Sequence, residues 1–301
     1  MADALTDLLS AAKAGDAEGV RAALAAGADI NGRAPRTYET PGNGYFIPHG
    51  GVPGLYLAVE HRHSQIIHEL LKAGADPDVQ TEGTLIITGE GPLHLAARRG
   101  EFDVVQTLLA AGSTPHSKQQ SRDAVPGTFA LQLAAKAGHV EIVKLLLQHG
   151  LEGKQWKTAV SAALVDAAEH GRATITRILI EHGTDVNKPL HTWTPLMMAC
   201  FGGFAPVARI LLDAGADIHY SNKKGQTAMY TVVHGAHMAP EHNREVECPR
   251  DHKEVAELLL ERGAKADEGH FKDRSPIQWG KDSDYSPLVR RVLEVLEASL
   301  R

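Results

Sequence analysis

Apolar residues recur along the chain in short paired stripes. In "GPLHLAARRGEFDVVQTLLAAG", Gly91 to Gly112, Leu93, Ala96 and Ala97 fall at helical spacing, and the pattern breaks at Gly100. Val104, Val105, Leu108 and Leu109 then recur at i, i+1, i+4, i+5 until Gly112. Residues so spaced share one face of a helix. The stretch predicts two short helices folded back on each other, with a turn at Gly100 and a stop at Gly112. Glycine accepts the left-handed backbone that ends a helix at least cost. A segment this short cannot bury both faces by itself.

The same pair recurs. Turn and stop fall at Gly15/Gly27, Arg62/Gly74, Gly100/Gly112, Gly138/Gly150, Gly171/Gly183, Gly203/Gly215 and Asp251/Gly263, always twelve residues apart. The sites between them stay largely apolar, as in Ile66, Ile67, Leu70 and Leu71, or Ile142, Val143, Leu146 and Leu147. "GPLHLAARRG" (91–100), "LQLAAKAGHVEIVKLLLQHG" (131–150), "TPLMMACFGGFAPVARILLDAGADI" (194–218) and "KKGQTAMY" (223–230) together resemble the ankyrin repeat family. Its unit of about 33 residues is a β-turn finger followed by two antiparallel helices. The resemblance covers nearly the whole chain and implies an all-α repeat protein. The expected architecture is an ankyrin solenoid of about eight helix pairs with β-turn fingers and enlarged loops. Each apolar stripe is then covered by the pairs before and after it.

A single ankyrin-repeat domain over 1–301 is expected. Its repeats lie near 1–30, 53–80, 91–115, 128–154, 160–190, 192–220, 222–266 (with an insertion) and 272–301 (a cap). Helices near 4–14 and 286–300 are expected to close the ends, the latter burying Val289, Val292, Leu293 and Leu296.

Repeat length is not uniform. "RAPRTYETPGNGYFIPHGGVPG" (33–54) enlarges a finger, with Tyr38, Tyr45 and Phe46 as its packing cluster. "QTEGTLIITGEG" (80–91) and "KQQSRDAVPG" (118–127) enlarge the next two, and "TLIIT" is a candidate short hairpin. "HGAHMAPEHNREVECPRD" (234–251) instead falls between the two helices of its pair. It is expected to emerge at the end away from the fingers.

Composition narrows the function. Hydrophobic residues make up 43% but aromatics only 5%, so Ala, Leu, Ile and Val must build the core. With 31 basic against 37 acidic residues the formal charge is −6, which gives no general attraction to phosphate backbones or anionic lipid. Neither nucleic acid nor membrane is an expected partner. The start, "MADALTDLLSAAKAGD", lacks the layout of a signal peptide, and no run of about 18 apolar residues occurs. Two cysteines, Cys200 and Cys248, cannot make a disulfide framework. A cytoplasmic or nuclear monomer is the expectation.

Several of the 17 histidines are absorbed by the repeat. His94 matches the family's TPLH histidine, which ties finger backbone. His63, His139 and His252 open second helices, while His149 and His182 precede stop glycines. His234, His237, His242, Cys248 and His252 concentrate in the last insertion and are chemically suited to zinc, though their spacing matches no structural-zinc pattern. Asp166 stands where the third repeat has Leu95, a partly buried site at which a carboxylate needs a donor. With His170 one turn along, and His61 elsewhere, it is the candidate for acid–base chemistry. The other reading of Asp166 is a hydrogen bond to a neighbouring finger.

The resemblance further implies that residues before each turn and on the fingers face the concave groove used for binding. The candidates are Tyr56, Arg98, Arg99, Lys136, Trp193, Met197, Phe201 and Tyr230. Glu60, Glu169, Gln226 and His234 are in the same class. Trp193, Met197, Phe201 and Tyr230 are expected to form an aromatic patch, and an acidic partner region is expected to prefer the Arg98/Arg99/Lys136 side. Tyr56, Met197 and Tyr230 occupy the His94 site of their own repeats. They have an alternative reading as simple packing.

No phosphate loop, HExxH, GxSxG or dinucleotide glycine fingerprint is present. The function expected is a non-enzymatic scaffold that holds a partner protein or peptide on the concave face without a cofactor. The competing reading is a small-molecule or catalytic pocket closed by the enlarged fingers, using Asp166, His170 or His61.

Overall fold

Helices form wherever the paired stripes fall. The computed structural model describes residues 3–33, 51–81, 89–115, 128–150, 153–238, 250–270, 273–282 and 287–301. Within them sixteen helices run as eight successive pairs. The first four pairs are α1 (Ala4–Ala14) with α2 (Ala17–Ala25), α3 (Gly54–Glu60) with α4 (Ser64–Lys72), α5 (Pro92–Arg99) with α6 (Phe102–Ala110), and α7 (Ala130–Ala137) with α8 (Val140–His149). Next come α9 (Lys154–Glu169) with α10 (Ala173–Glu181) and α11 (Pro195–Gly202) with α12 (Ala205–Asp213). The last are α13 (Ala228–Met238) with α14 (His252–Glu261) and α15 (Pro276–Asp282) with α16 (Pro287–Ala298). Extended pairing among the described residues is confined to the isolated bridges Arg33–Pro53 and Leu190–Trp193. This is an all-α repeat architecture.

Two compact units divide the chain, one within residues 1–134 and 141–152, the other within 135–140 and 153–301. In the first, α1 packs on α3 and α3 on α5, while α2 packs on α4. In the second, α9, α11, α13 and α15 pack in series, as do α10, α12 and α14. First helices meet first helices and second meet second, so each stripe is covered by its neighbour rather than by its own partner alone. The buried set is short side chains at the expected sites: Ile66, Ile67 and Leu70 in α4, Val105, Leu108 and Leu109 in α6, Val207, Ala208 and Leu211 in α12. Val289, Val292, Leu293 and Leu296 of α16 are buried as expected.

The turns show what locks one pair to the next. The residue that opens a second helix lays its side chain over the turn of the preceding pair. His63 lies over Gly15 and its Nε2 is 3.0 Å from the Lys13 carbonyl oxygen. Arg172 lies over Gly138 and donates from Nε to the Lys136 carbonyl at 3.2 Å. His252 lies over Gly203 with Nε2 3.0 Å from the Phe201 carbonyl. Phe204 fills the same place over Gly171 by packing alone. A second set of ties joins the loops after the stop glycines. Asp76 N–H donates to Asn31 Oδ1 at 2.9 Å, and Asp217 N–H to Asn187 Oδ1 at 2.7 Å. Asp78 accepts from both the hydroxyl and the N–H of Thr114 and from Ser113.

Three departures have local causes. A repeat start near 160 was expected, but α9 begins at Lys154 and buries Trp156. The Thr194–Pro195 pair that starts α11 is replaced there by Ala162–Ala163, which neither caps nor interrupts a helix, so α9 runs back unbroken. The last insertion does begin inside a pair, but α13 continues through Met238 and takes up its first five residues. Asp251 keeps the twelve-residue spacing without being a left-handed turn: its φ is −140°, and its side chain caps α14 by accepting from Glu254 N–H at 3.0 Å. Arg62 does adopt the left-handed turn (φ 62°), with its guanidinium 2.9 Å from Glu101. The expectations for Tyr38, Tyr45 and Phe46, for 84–88 and for 118–127 concern residues outside those described.

Turn and stop glycines should respond differently to substitution. Gly203 has φ 73°, and an added Cβ would stand 2.8 Å from the His252 ring. Gly215 has φ 87° and nothing within 4 Å of that position. Gly215→Ala should therefore cost only the left-handed strain, about 1 kcal/mol. Gly203→Ala adds a clash with a packed ring and should cost about 3 kcal/mol in total. Urea unfolding followed by tryptophan emission checks this, because all three tryptophans (156, 193 and 279) lie in the second unit. Equal costs would contradict the interlocking role of His252.

Candidate functional site

In the first unit the expected binding residues Tyr56 and Arg98 converge on Glu90, at the base of a finger. Glu90 is 2% exposed. A carboxylate buried to that degree requires donors. The Tyr56 hydroxyl donates to Oε2 at 2.6 Å. Arg98 donates from Nε and Nη2 to Oε1 at 3.1 and 3.0 Å, and from Nη2 to Oε2 at 3.1 Å. Burial, and then the bond to Glu90, hold the Tyr56 phenol far above its ordinary pKa, so it remains a donor. The expectation that Arg98 offers its charge to an acidic partner is thereby corrected: that charge is met by Glu90. Arg99 donates to the Glu60 carbonyl at 2.6 Å. His61 is exposed and stacks on His63 with ring centroids 6.1 Å apart.

In the second unit, fingers and first helices assemble a cluster of rings. The finger before α11 closes through two backbone bonds between Leu190 and Trp193, at 3.1 and 3.3 Å. Trp193 then donates from Nε1 to Gln226 Oε1 at 3.3 Å on the next finger. That finger is locked in turn by Asn222, whose Nδ2 donates to Gln226 Oε1 at 2.8 Å and whose Oδ1 accepts the Gln226 and Lys224 N–H groups. Phe201, at the end of α11, meets Trp193 edge-on at 5.2 Å. From α13, His234 stands 5.5 Å from Phe201, 6.2 Å from Trp193 and 5.8 Å from Tyr230. Trp279 of α15 completes the set, 5.3 Å from His234 and 5.2 Å from His237. Trp193, Phe201, His234, His237 and Trp279 are all half-buried. The strip therefore crosses three successive pairs.

Met197 and Tyr230 do not take part as surface anchors. Each is 1% exposed and packs into the seam, as the alternative reading had it. Their equivalent, His94, is buried at 2% and accepts the Gly91 N–H on Nδ1 at 3.4 Å. Trp279 and His237 were missed as ring partners. Ser275–Pro276, which repeats Thr194–Pro195, was the available signal that Trp279 begins a first helix. Glu90 had no periodic signal.

The acid–base candidates do not form a carboxylate–imidazole pair through the His170 Nδ1 nitrogen. It lies 2.9 Å from the backbone carbonyl of Asp166, to which it donates. Of the zinc candidates, His252 Nε2 is occupied by the Phe201 carbonyl, and His242 and Cys248 lie outside the described residues. His234 and His237 sit among the rings, and their Nδ1 atoms are buried without a hydrogen-bond partner. Among the described residues no group of three metal-ligating side chains occurs. Lys136 is exposed on α7, with its carbonyl taken by Arg172. Burial pushes the Cys200 thiol up, leaving little thiolate to react. A groove of about 480 Å³ lies between second helices, lined by Arg177, Glu181, Arg209, Asp213 and Glu254. It is open and charged, on the elements opposite the rings. No helix among the described residues is long and apolar enough to cross a membrane.

A family model described as ankyrin repeats (3 copies) matches residues 55–156, 93–189 and 164–270. Among solved structures, the chain is similar to the human ASB11 ankyrin repeat domain, with a TM-score of 0.57 and 23% sequence identity. That match covers 85% of this chain and 97% of the other. At such identity the likeness concerns the fold. No curated protein matches the sequence.

Two outcomes follow from the site chemistry. Arg98→Ala removes two of the groups that donate to buried Glu90 and should cost the first unit about 2 kcal/mol. The loss should shrink when Glu90→Gln is added, as read by hydrogen exchange in α3 and α5. The second concerns acid. Burial holds the imidazoles of His170, His234 and His252, all in the second unit, below the ordinary 6.5. Above that pH both folded and unfolded forms are neutral, so stability is full. As pH falls through 6.5 the unfolded chain takes protons the folded one refuses, and stability drops. Urea midpoints by tryptophan emission should fall from pH 7 to about pH 5. His234→Phe, which keeps a ring at the centre of the cluster, should flatten that fall.

Proposed function

The chain belongs to the ankyrin repeat family, and we propose that its second unit docks a partner protein against the rings of Trp193, Phe201, His234 and Trp279. Ankyrin repeats are generally protein–protein interaction modules. The finer assignment rests on one observation: half-buried rings from a finger and three successive first helices meet edge to face in one cluster. Large rings with one side packed and the other accessible are the usual anchors of interfaces. They lose little freedom on binding, since helices and locked fingers already hold them. The acid–base groups lack a comparable assembly, and Arg98 is committed to Glu90.

A random peptide library displayed on phage supplies binders with which to test this. Peptides selected on the full chain should bind Trp193→Ala/Phe201→Ala at least about 10-fold more weakly, the loss expected for removing an interface anchor. Arg99→Ala should leave them unchanged. Far-UV circular dichroism and the emission of the remaining tryptophans establish that the double variant is folded. Selected peptides that bind it as well as the parent would place the docking surface elsewhere.

A further inference from the structure

All of the ring strip but Trp279 lies in two long stretches that carry no acidic residue. Residues 187–212 and 218–238 hold both fingers and both first helices around Trp193 and His234, and neither stretch contains Asp or Glu. The whole chain has 37 acids among 301 residues and a net charge of −6; acid-free runs also occur at 40–59 and 104–122, but these two are the longest. The cations in these stretches include Lys188, Lys223 and Lys224, all exposed on the two fingers that frame Trp193. The geometry of those fingers is fixed. Lys223 and Lys224 form the tip that Asn222 and Gln226 close beneath them, and Gln226 is the residue that receives the Trp193 indole N–H. Lys188 and His191 belong to the finger whose stem is Leu190 and Trp193.

Of the four acids in the finger and helix that follow, two are engaged, and Glu169 of α9 stands at the position that Phe201 holds in α11. Glu268 holds His219 at 2.8 Å, and Asp282 holds Arg274 at 3.1 Å. Asp185 and Asp217, just outside the acid-free stretches, accept the N–H groups of Asn187 and His219 in their own turns. Asp267 and Asp273 are the exposed carboxylates left in that third finger. Basic residues thus stand on the finger that carries Trp193 and on the finger that accepts its indole N–H.

Building on the docking surface proposed above, we infer that its partner segment is an acidic peptide: an aromatic or aliphatic anchor seated on Trp193 and Phe201, with flanking carboxylates reaching Lys188, Lys223 and Lys224. Charge of this kind sets partner choice and association rate more than raw affinity. The arrangement favours a peptide over single-stranded nucleic acid. Base stacking needs open ring faces and a basic groove along the backbone, whereas these rings meet one another edge-on and the cations are few.

The test sequences the peptides selected on the full chain from the random phage library and measures their affinities as synthetic peptides. Enriched sequences should place Asp or Glu within a few residues of Trp, Phe or Leu. Lys188→Glu/Lys223→Glu/Lys224→Glu should weaken them at least 10-fold, and raising salt from 50 to 300 mM should weaken them several-fold. The milder Lys223→Gln/Lys224→Gln serves if the triple variant does not fold, and should show a smaller loss of the same sign. Enriched peptides without acids, or affinities indifferent to these variants, would overturn the acidic chemistry. If such peptides still depended on Trp193 and Phe201, the docking surface itself would stand. Peptides that ignore both the rings and the lysines would remove both readings. Tighter binding of a dT20 oligonucleotide than of any selected peptide would show that the class of partner is wrong.

Discussion

No helix pair in this protein contains its own core, and the structure depends on how closely one pair can approach the turn of the pair before it. Four side chains of three types solve that problem in the same place. His63, Arg172 and His252 cover a turn glycine and reach the backbone carbonyl two residues upstream. Phe204 covers Gly171 without a polar atom, and the Arg250 guanidinium sits over its ring at 5.5 Å from the ring centre. The common requirement is a flat group over a bare backbone. Hydrogen bonding is added where the side chain has a nitrogen to offer. Removing the gap at the turn would separate the first helices, and the short Ala, Leu and Val side chains between them could not fill the space.

The ring cluster follows from that close approach. With the first helices of the second unit in contact, residues near their C-terminal ends fall beside one another across successive pairs. Phe201 from α11 and His234 from α13 come within 5.5 Å, and Trp279 from α15 within 5.3 Å of His234. Gly235, next to His234, lies against the Phe201 carbonyl and the His252 ring, where a Cβ would not fit. The interlock at His252 and the approach of α13 to α11 are thus one packing arrangement. His234 pays for its place with an Nδ1 that finds no partner and a lowered affinity for protons. An imidazole is less suited to that position than the rings around it, because a proton there would place a charge among half-buried rings.

Period and interval were legible in the chain because they arise from a constraint that repeats: a stripe to be covered and a turn to be kept bare. Helix pairs, their order and their buried faces could be read from that alone. What could not be read depends on single residues that break the period or lie outside it. Arg98 looked available because its position precedes a turn; Glu90, which neutralises it, is a finger residue with no place in the stripe. Met197 and Tyr230 looked like groove residues because they align with His94, but that site points into the seam between finger and helix, and all three are buried. The early start of α9 was visible as a missing Thr–Pro, yet an absent stop says only that a helix can continue. Whether it does depends on burying Trp156.

The position two residues before each turn shows why recognition can vary on a scaffold held so tightly. It is occupied by Lys13, Glu60, Arg98, Lys136, Glu169 and Phe201. At four of these the backbone carbonyl accepts a bond from a side chain of the following pair: from His63 at Lys13, Arg99 at Glu60, Arg172 at Lys136 and His252 at Phe201. The structural task at this site therefore falls on the peptide group, which every residue type supplies. Where that tie is made, the side chain takes no part in it. Cation, carboxylate or aromatic ring can stand there without altering the tie beneath it, so an aromatic cluster can be built at Phe201 on the same backbone that carries lysine at Lys13 and Lys136.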